Sequence, residues 1–304
     1  MKLLGRYKNG NVNISIFDDG TRICESEDDE FVFDFPLNID VTITTKCDGG
    51  CPFCYMNCTE NGIHADLNQA WVDTIHPYTE VALNGNDLSH PGLIDFLTKL
   101  RDRNVIANMT VNQKHFMQHL NLLHILVDNK LIRGLGVSLV SPTDEFIAQI
   151  KRFPNSVIHV INGILKPSDV EMLQNHNLKL LILGYKHLRR GEDYYDHHED
   201  DIVENQTWLN NNLQDILNKF NVISFDNLAL HQLPIVKTLL SEQQWEEFYA
   251  GDDGTCSMFV DMVASTFSRS STTQLETMKP IMDSLDDMFA VVKKDLEVEN
   301  YAMS

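Results

Sequence analysis

The sequence predicts an α/β protein built as a partial (β/α)6-type TIM barrel, with an N-terminal β-hairpin before it and a C-terminal α/β extension after it. From residue 39 onward, short apolar and β-branched runs alternate with amphipathic segments of helical length, which is typical of parallel βαβ units. Six or seven such units follow one another, and this number favours a full or partial barrel over an open sheet. We therefore expect a hairpin extension over 1–36, the barrel over 37–226 and a covering extension over 227–304.

The N-terminal hairpin is predicted from alternation and a turn signal. Residues 11–17 alternate polar and apolar side chains, Asp19-Gly20 favours a turn, and residues 21–25 resume the alternation. Two alternating runs joined in this way are typical of two paired antiparallel strands.

The barrel prediction depends on seven candidate strands and the segments between them. The strands are predicted at residues 40–45, 80–83, 105–110, 134–139, 157–161, 179–183 and 222–225. Helices are predicted at 67–76, 91–103, 114–129, 143–152 and 167–176, where apolar residues recur at the helical period. Residues 187–205 are polar and crowded with charge, so we expect a solvated loop there that could cover an active site.

A further helix is expected at 202–220, at the end of the barrel. The C-terminal extension is predicted to mix both kinds of element, with a helix at 239–249, strands at 256–263 and 266–269, and a long helix over 273–297. The methionine-rich stripe of that last segment is interpreted as a packing face.

Composition limits the classes of function. The chain has 304 residues, of which 43% are apolar, and a formal net charge of −20. Such a charge is repelled by phosphate backbones, and the best basic run, residues 186–190, is short, so nucleic acid is disfavoured as a partner. No apolar run approaches the ~20 residues of a membrane span, and no apolar segment follows the basic N-terminus. We expect a cytoplasmic protein without a membrane partner.

Four of the six cysteines lie between positions 47 and 58, which indicates metal or iron–sulfur ligation rather than a disulfide framework. Cys47, Cys51 and Cys54 have C-x3-C-x2-C spacing directly after the first barrel strand, and the glycines between them let the backbone turn tightly. A zinc site usually has four ligands from two knuckles, and the bacterial ferredoxin spacing differs. Three thiolates on a four-iron cluster would leave one iron open for a ligand, while a structural zinc site or an inert cysteine cluster stays possible.

This spacing, followed by the aromatic Tyr55 after the first strand of a βα series, resembles the radical S-adenosylmethionine (SAM) superfamily over about residues 40–225. The absence of a further cysteine-rich region resembles members without an auxiliary-cluster domain. The resemblance implies a [4Fe-4S] cluster on Cys47, Cys51 and Cys54, with SAM bound at the open iron. It further implies that an external electron donor of flavodoxin or ferredoxin type drives cleavage of SAM to a 5′-deoxyadenosyl radical, which abstracts hydrogen from a substrate.

The resemblance also implies SAM contacts at the ends of the strands. Residues Asn84, Gly85, Asn86 and Asp87 stand where the family has Gly-Gly-Glu-Pro, and Leu88, His90 and Pro91 fit the pattern downstream. The family's glutamate is replaced, so Asn86 or Asp87 is expected to accept a hydrogen bond from the SAM ammonium group. Further cofactor contacts are expected at Tyr55, Thr110, Asn112, Ser138, Asn162 and Tyr185.

The substrate is predicted only by class: a peptide, a protein side chain or a small metabolite. Cys256 resembles the lone hydrogen-donor thiol of peptide epimerases in this superfamily, although an ordinary buried cysteine fits as well. Cys58 is expected to pack near the cluster rather than bind it. Two other functions stay open, namely a nucleotide- or tRNA-modifying radical SAM enzyme and a non-catalytic metal-binding or electron-transfer module.

Overall fold

A computed structural model describes residues 1–84 and 87–303, and the side chains of 1–84 and 87–296. The N-terminal sheet has three antiparallel strands, β1 (Leu3–Asn9), β2 (Val12–Phe17) and β3 (Arg22–Glu25), in the order β1-β2-β3. The predicted hairpin is β2–β3, and β1 adds a third strand that the prediction missed. A register shift between Leu3 and Gly5 interrupts the alternation of β1 and explains why the pattern did not predict it.

The main sheet has ten strands. They are β4 (Asn38–Thr42), β5 (Glu80–Asn84), β6 (Ile106–Asn112), β7 (Gly134–Ser138), β8 (Ser156–Ile161), β9 (Lys179–Leu183), β10 (Val222–Phe225), β11 (Ser257–Asp261), β12 (Thr266–Ser268) and β13 (Lys279–Pro280). Their order is β10-β9-β8-β7-β6-β5-β4-β11-β12-β13, and pairing is parallel from β10 to β11. The protein is therefore an α/β protein with a large, mostly parallel sheet.

All seven predicted parallel strands are present, with bounds shifted by up to three residues. The first of them, expected at 40–45, runs from Asn38 to Thr42. Strand β11 lies beside β4 and parallel to it, which no sequence pattern predicted.

Ten α-helices are present in the described residues. They are α1 (Leu93–Asp102), α2 (Gln113–Gln118), α3 (Leu120–Asp128), α4 (Asp144–Ile150), α5 (Pro167–Leu173), α6 (Arg190–Leu217), α7 (Asn227–Gln232), α8 (Ile235–Thr238), α9 (Glu242–Phe248) and α10 (Leu285–Met303). The helix expected over 67–76 is only a 3-10 turn at Ala70–Thr74. The helix expected over 114–129 is broken at His119, whose φ of −121° and ψ of 27° are not helical.

The solvated loop predicted over 187–205 is wrong: α6 begins at Arg190 and continues to Leu217, with a kink at His198. The polar side chains of its first half are exposed on the helix surface, so composition alone resembled a loop. Contacts four residues apart support this half, since the Tyr194 and His198 rings stack at 4.1 Å and the Tyr195 hydroxyl donates to Glu199 at 3.1 Å.

The two faces of the parallel strands differ in chemistry. One face buries Ile39, Val41, Val81, Leu83 and their neighbours against the helices. The other bears Asp40, Asn108, Thr110 and His159, which are not fully buried. The long helix expected over 273–297 begins only at Leu285, after a 3-10 turn at Leu275–Thr277 and strand β13. Leu285, Met288 and Phe289 of α10 are buried, as a packing face predicts, but Met282 of the predicted stripe precedes the helix and is 40% exposed. Within the described part of the chain, no helix combines the length and apolarity needed to cross a bilayer.

Candidate functional site

The cysteine loop, residues 43–64, begins at the carboxyl end of β4 and is held at both ends by backbone hydrogen bonds. The Cys47 amide donates to Thr59 O at 2.8 Å, and the Thr59 amide donates to Thr45 O at 3.0 Å. The Thr45 amide donates to Ile63 O at 3.0 Å. Because the carboxyl ends of parallel strands meet at one edge of a sheet, this loop lies where barrel-like proteins place their active sites.

The sulfurs of Cys47 and Cys51 both lie close to Gly49, and so does the His115 ring. A Cβ atom at Gly49 would lie 3.2 Å from Cys47 Sγ and 3.9 Å from Cys51 Sγ. Both cysteines, and Cys54, are free thiols that are only partly buried. The three cysteines are therefore not sealed inside the core, and a side chain at position 49 would crowd the Cys47 sulfur.

N–H donors point at the cysteine sulfurs. The Gly49 amide donates to Cys47 Sγ at 3.3 Å, and Asn112 Nδ2 donates to Cys51 Sγ at 3.4 Å. The Cys58 thiol hydrogen-bonds to Cys54 and lowers the pKa of Cys54, while that same bond, with burial, raises the pKa of Cys58. Burial raises the pKa values of Cys47 and Cys51. The hydrogen bond between the two thiols therefore favours the thiolate form of Cys54 and the protonated form of Cys58.

No group of three or more His, Cys, Asp or Glu side chains among those described, in residues 1–84 and 87–296, could hold a single metal ion. A zinc ion needs its ligands gathered around one point. A four-iron cluster instead takes each cysteine on a different iron, so its ligands stand farther apart. Three free cysteines on one loop are the donor set that such a cluster takes.

Basic residues after β9 contact the cysteine loop through hydrogen bonds and a cation–π interaction. Arg189 Nη1 donates to Tyr55 O at 2.6 Å, and Arg190 Nη2 donates to Cys58 O at 2.5 Å. Lys186 Nζ lies 4.0 Å from the centre of the Tyr55 ring, a cation–π contact. The short basic run of the sequence therefore holds this loop, and the charge of Arg190 favours the thiolates of Cys51 and Cys54.

Helix α2 supports the loop from the other side. His115, which is 2% exposed, contacts Asp48 Oδ1 through Nε2 at 2.7 Å. Lys114 Nζ donates to Asp48 O at 3.0 Å. Hydrogen bonds from His115 and Lys114 lower the pKa of Asp48, so this carboxylate stays charged between the two.

Asp87 is the most unusual of the predicted SAM contacts. It is fully buried, and neither carboxylate oxygen has a hydrogen-bond partner. Burial raises its pKa well above the usual value. Asn84, at the end of β5, accepts a hydrogen bond from Thr42 Oγ1 at 3.1 Å, whereas Gly85 and Asn86 lie outside the described residues.

The remaining predicted contacts divide into two groups. Thr110, Asn112 and Ser138 lie on the polar face of the sheet near the carboxyl ends of β6 and β7, with Asn112 and Ser138 paired in register. Asn162 and Tyr185 instead form hydrogen bonds to other residues of the protein. Asn162 Nδ2 donates to Gln232 Oε1 at 3.3 Å, and the Tyr185 hydroxyl donates to Gly191 O at 2.6 Å. One atom of this second group, Asn162 Oδ1, is buried without a partner.

The structure does not bring Cys256 to the cysteine loop. Cys256 directly precedes β11, whose first residue pairs with Asn38 and whose last pairs with Thr42. Cys256 is therefore at the amino end of the sheet, while Cys47 lies beyond the carboxyl end. Five residues of strand separate the two ends by roughly 16 Å at ~3.3 Å per residue. Burial raises the pKa of Cys256 to about 11.

A cleft of about 700 Å³ opens at the carboxyl ends of β7 and β8 and is covered by α6. Leu139, Ile161, Gly163, Tyr194 and His198 line it. The Tyr194 ring also contacts Phe53 of the cysteine loop, edge to face, with ring centres 5.6 Å apart. The cleft therefore adjoins the loop and has the size of a small-molecule site.

Sequence reasoning missed Asp48, Lys114, His115, Arg189 and Arg190 as site residues. Each acts through a contact between elements that are distant in the chain, such as Lys114 with Asp48 and Arg189 with Tyr55. A basic run in a strongly acidic chain was the one available signal for the arginines.

Comparisons with known proteins assign no family. No protein-family model matches the sequence, and no curated protein matches it. Among solved structures, the carboxyl transferase domain of Rhizobium etli pyruvate carboxylase superposes with a TM-score of 0.29 at 8% identity, covering 68% of this chain. This chain spans 44% of the length of that structure. Likeness at this level assigns neither a fold nor an activity.

Proposed function

We propose that this protein is a radical SAM enzyme that holds a [4Fe-4S] cluster on Cys47, Cys51 and Cys54. The observation that carries the proposal is that these three free, partly buried thiols lie on one loop after the carboxyl end of β4, with the sulfurs of Cys47 and Cys51 both beside Gly49. When bound, such a cluster takes an electron from an external flavodoxin- or ferredoxin-type donor and cleaves SAM to methionine and a 5′-deoxyadenosyl radical. The partial exposure of the thiols supports this proposal, because the electron has to reach the cluster from outside.

We infer further that strands β4 to β9 curve into a partial (β/α)6 barrel. In a flat sheet, β4 and β9 would be roughly 24 Å apart, because neighbouring strands are ~4.8 Å apart. Yet Lys186, after β9, lies 4.0 Å from the Tyr55 ring, after β4, and Arg189 bonds to the same residue. A curved sheet places these two ends across a chamber from each other.

Asp87 and the cleft beneath α6 support a SAM site. A buried carboxylate without a partner is costly, and an ammonium group would give it a charge-assisted hydrogen bond. We infer that the Asp87 carboxylate accepts a hydrogen bond from the ammonium group of SAM, in place of the family's glutamate. The methionine part would then lie near Asn84 and Asp87, and the nucleoside part in the cleft lined by Ile161 and Tyr194.

The protein's own residues would hold the cysteine loop in place and bind SAM. Arg189, Arg190 and Lys114 fix the loop through its backbone carbonyls, so the sulfurs keep their positions. Helix α6 forms one wall of the cleft through Tyr194, His198 and Ile202. Thr110 and Ser138 present hydroxyl groups on the polar face, where a ribose could bind.

The substrate chamber is charged. The charges of Asp40, Lys186 and Asp226 interact there. Loss of hydration at the sheet face raises the pKa of Asp40 to about 6, although its side chain still contacts solvent, and the Lys186 charge lowers this pKa. Lys186 Nζ also donates to Ser271 Oγ at 3.0 Å, a residue after β12. We infer that the chamber takes a polar substrate such as a peptide, a protein side chain or a small metabolite.

Anaerobic reconstitution with iron and sulfide tests the cluster assignment. Wild-type protein should turn brown and hold about four irons per chain. Replacing Cys47, Cys51 or Cys54 by serine should abolish this content. Cys256→Ser is the matched control, since Cys256 lies at the other end of the sheet, and it should keep the full cluster. Retention of one zinc ion by a colourless wild-type protein would contradict the proposal.

A further inference from the structure

Asn112 makes two different contacts at the cysteine loop. Its Oδ1 accepts from the Lys114 amide at 2.8 Å and caps α2. Its Nδ2 donates to Cys51 Sγ at 3.4 Å. Both polar groups of the side chain thus have partners within the chain.

The hydrogen-bond donors to the cysteine sulfurs include both backbone and side-chain groups. Cys47 Sγ accepts a hydrogen bond from the backbone amide of Gly49, and the neighbouring Cys58 and Met56 lower the pKa of Cys54. Cys51 receives a side-chain amide, from Asn112. This donor belongs to another element of the fold, and it can be changed without altering the backbone of the loop.

The backbone around Asn112 is fixed by its neighbours. Gln113 Nε2 donates to Ser141 O at 2.6 Å, and Gln113 Oε1 accepts from the Val140 amide at 2.7 Å. His115 and Lys114 hold Asp48. A substitution at 112 therefore removes a donor from Cys51 while these contacts keep α2 and the loop in place.

We propose that Asn112 is a positioning residue that raises the reduction potential of a cluster bound at Cys51, an inference that rests on the proposed function. An N–H group directed at a sulfur stabilises negative charge there, and hydrogen bonds to the sulfurs are among the factors that set cluster potentials. Reduction by one electron from the external donor adds one negative charge to the cluster. The hydrogen bond therefore stabilises the reduced form more than the oxidised form.

Asn112→Ser is the variant that isolates this effect. Serine is a good N-cap residue, so α2 keeps its cap; it is neutral, and it is too short to reach Cys51. The midpoint potential of the reconstituted, SAM-free cluster would be measured by redox titration followed by electron paramagnetic resonance. We expect full iron content and a shift to a more negative potential.

A second variant and a control sharpen the experiment. Asn112→Asp keeps the accepting oxygen of the cap, removes the donor and adds negative charge, so its potential should shift further in the same direction. Asn129→Ser, at the exposed C-terminal end of α3, should leave the potential unchanged.

Three outcomes would contradict either the role of Asn112 or the proposed function, and the experiment distinguishes between the two. An unchanged potential in Asn112→Ser with a full cluster overturns the role of Asn112. Loss of the cluster in both Asn112 variants, with the control intact, means that the residue serves assembly and overturns the tuning role. Absence of a cluster in the wild-type protein contradicts the proposed function instead.

Discussion

The Asp87 carboxyl group is the clearest sign of an unsatisfied interaction in the described residues. It is fully buried, and both of its oxygens lack a partner. Burying such a group without a hydrogen bond costs free energy, so its environment favours the protonated acid. A cationic ligand group beside it would relieve this cost, and this is the reason to place the SAM ammonium group there.

Asp87 makes the stability of the unliganded protein depend on pH. Its folded-state pKa is raised above the unfolded value of about 3.9, so its contribution to stability is present below that pH and is lost as pH rises towards the folded-state pKa. Asp87→Asn cannot ionise and should escape this loss. We expect the difference in melting temperature between Asp87→Asn and the wild type to increase in favour of the variant from pH 4 to pH 8.

The matched control for this experiment is Asp200→Asn, which changes an exposed carboxyl group on α6. It should follow the wild-type curve at every pH. A constant difference between Asp87→Asn and the wild type across the range would show that Asp87 is not the buried, unpaired acid described here.

At the scale of single residues, spacing predicted the thiols but not their surroundings. Cys47, Cys51 and Cys54 are close in sequence, so one loop necessarily holds them together. The contacts of Asn112 with Cys51 and of His115 with Asp48 join positions 61 and 67 residues apart. Such contacts depend on how β6 lies beside the loop, which no local pattern contains.

At the scale of elements, the cysteine loop depends on tight backbone packing at Gly62. A Cβ atom there would lie 2.1 Å from Thr45 O and 2.5 Å from the Lys46 amide nitrogen. These are backbone atoms of the segment that leads into Cys47, and they cannot rotate away. Glycine is therefore required at 62 for the two ends of the loop to stay paired.

Gly62→Ala should lower the free energy of unfolding by about 1–3 kcal/mol, the usual cost of overpacking, and should reduce iron content after reconstitution. Gly92→Ala is the control, because a Cβ atom at Gly92 would make only ordinary contacts at 3.4–3.5 Å. Chemical denaturation of both variants measures the difference. Equal stability of Gly62→Ala and the wild type would contradict the backbone packing described for the loop.

The elements themselves were predicted with uneven success, for physical reasons. Strands β5 to β10 have apolar runs bounded by polar residues, and those runs were found. The first half of α6 was taken for a loop because its exposed side chains have no apolar stripe. Only Ile202 and later residues are buried regularly, and contacts such as Tyr194 with His198 support the polar half.

At the scale of the whole molecule, the C-terminal segment completes the sheet beside the cysteine loop. Strand β11 pairs with β4 in parallel, with Ser257 opposite Asn38. Without β11, the strand that leads into the loop would be at an edge of the sheet. The sequence could not reveal this pairing, because it joins segments more than two hundred residues apart and depends on the order of all strands.

The basic residues after β9 contact the cysteine loop from a part of the sheet distant from β4. Lys186, Arg189 and Arg190 reach across to Tyr55 and Cys58, so the loop is held both by its own strand and by a distant part of the sheet. In a chain with a net charge of −20, these cations are placed where they bind the backbone carbonyls of the cysteine loop. Nucleic-acid binding is therefore not needed to explain the basic run.

The measurement that tests the central claim most directly is SAM cleavage by the reconstituted wild-type protein. The protein would be reduced with dithionite under anaerobic conditions, supplied with SAM, and its products analysed by mass spectrometry. We expect 5′-deoxyadenosine and methionine, with neither formed by Cys54→Ser. A protein that holds a full four-iron cluster, accepts an electron and leaves SAM intact would contradict the proposed function.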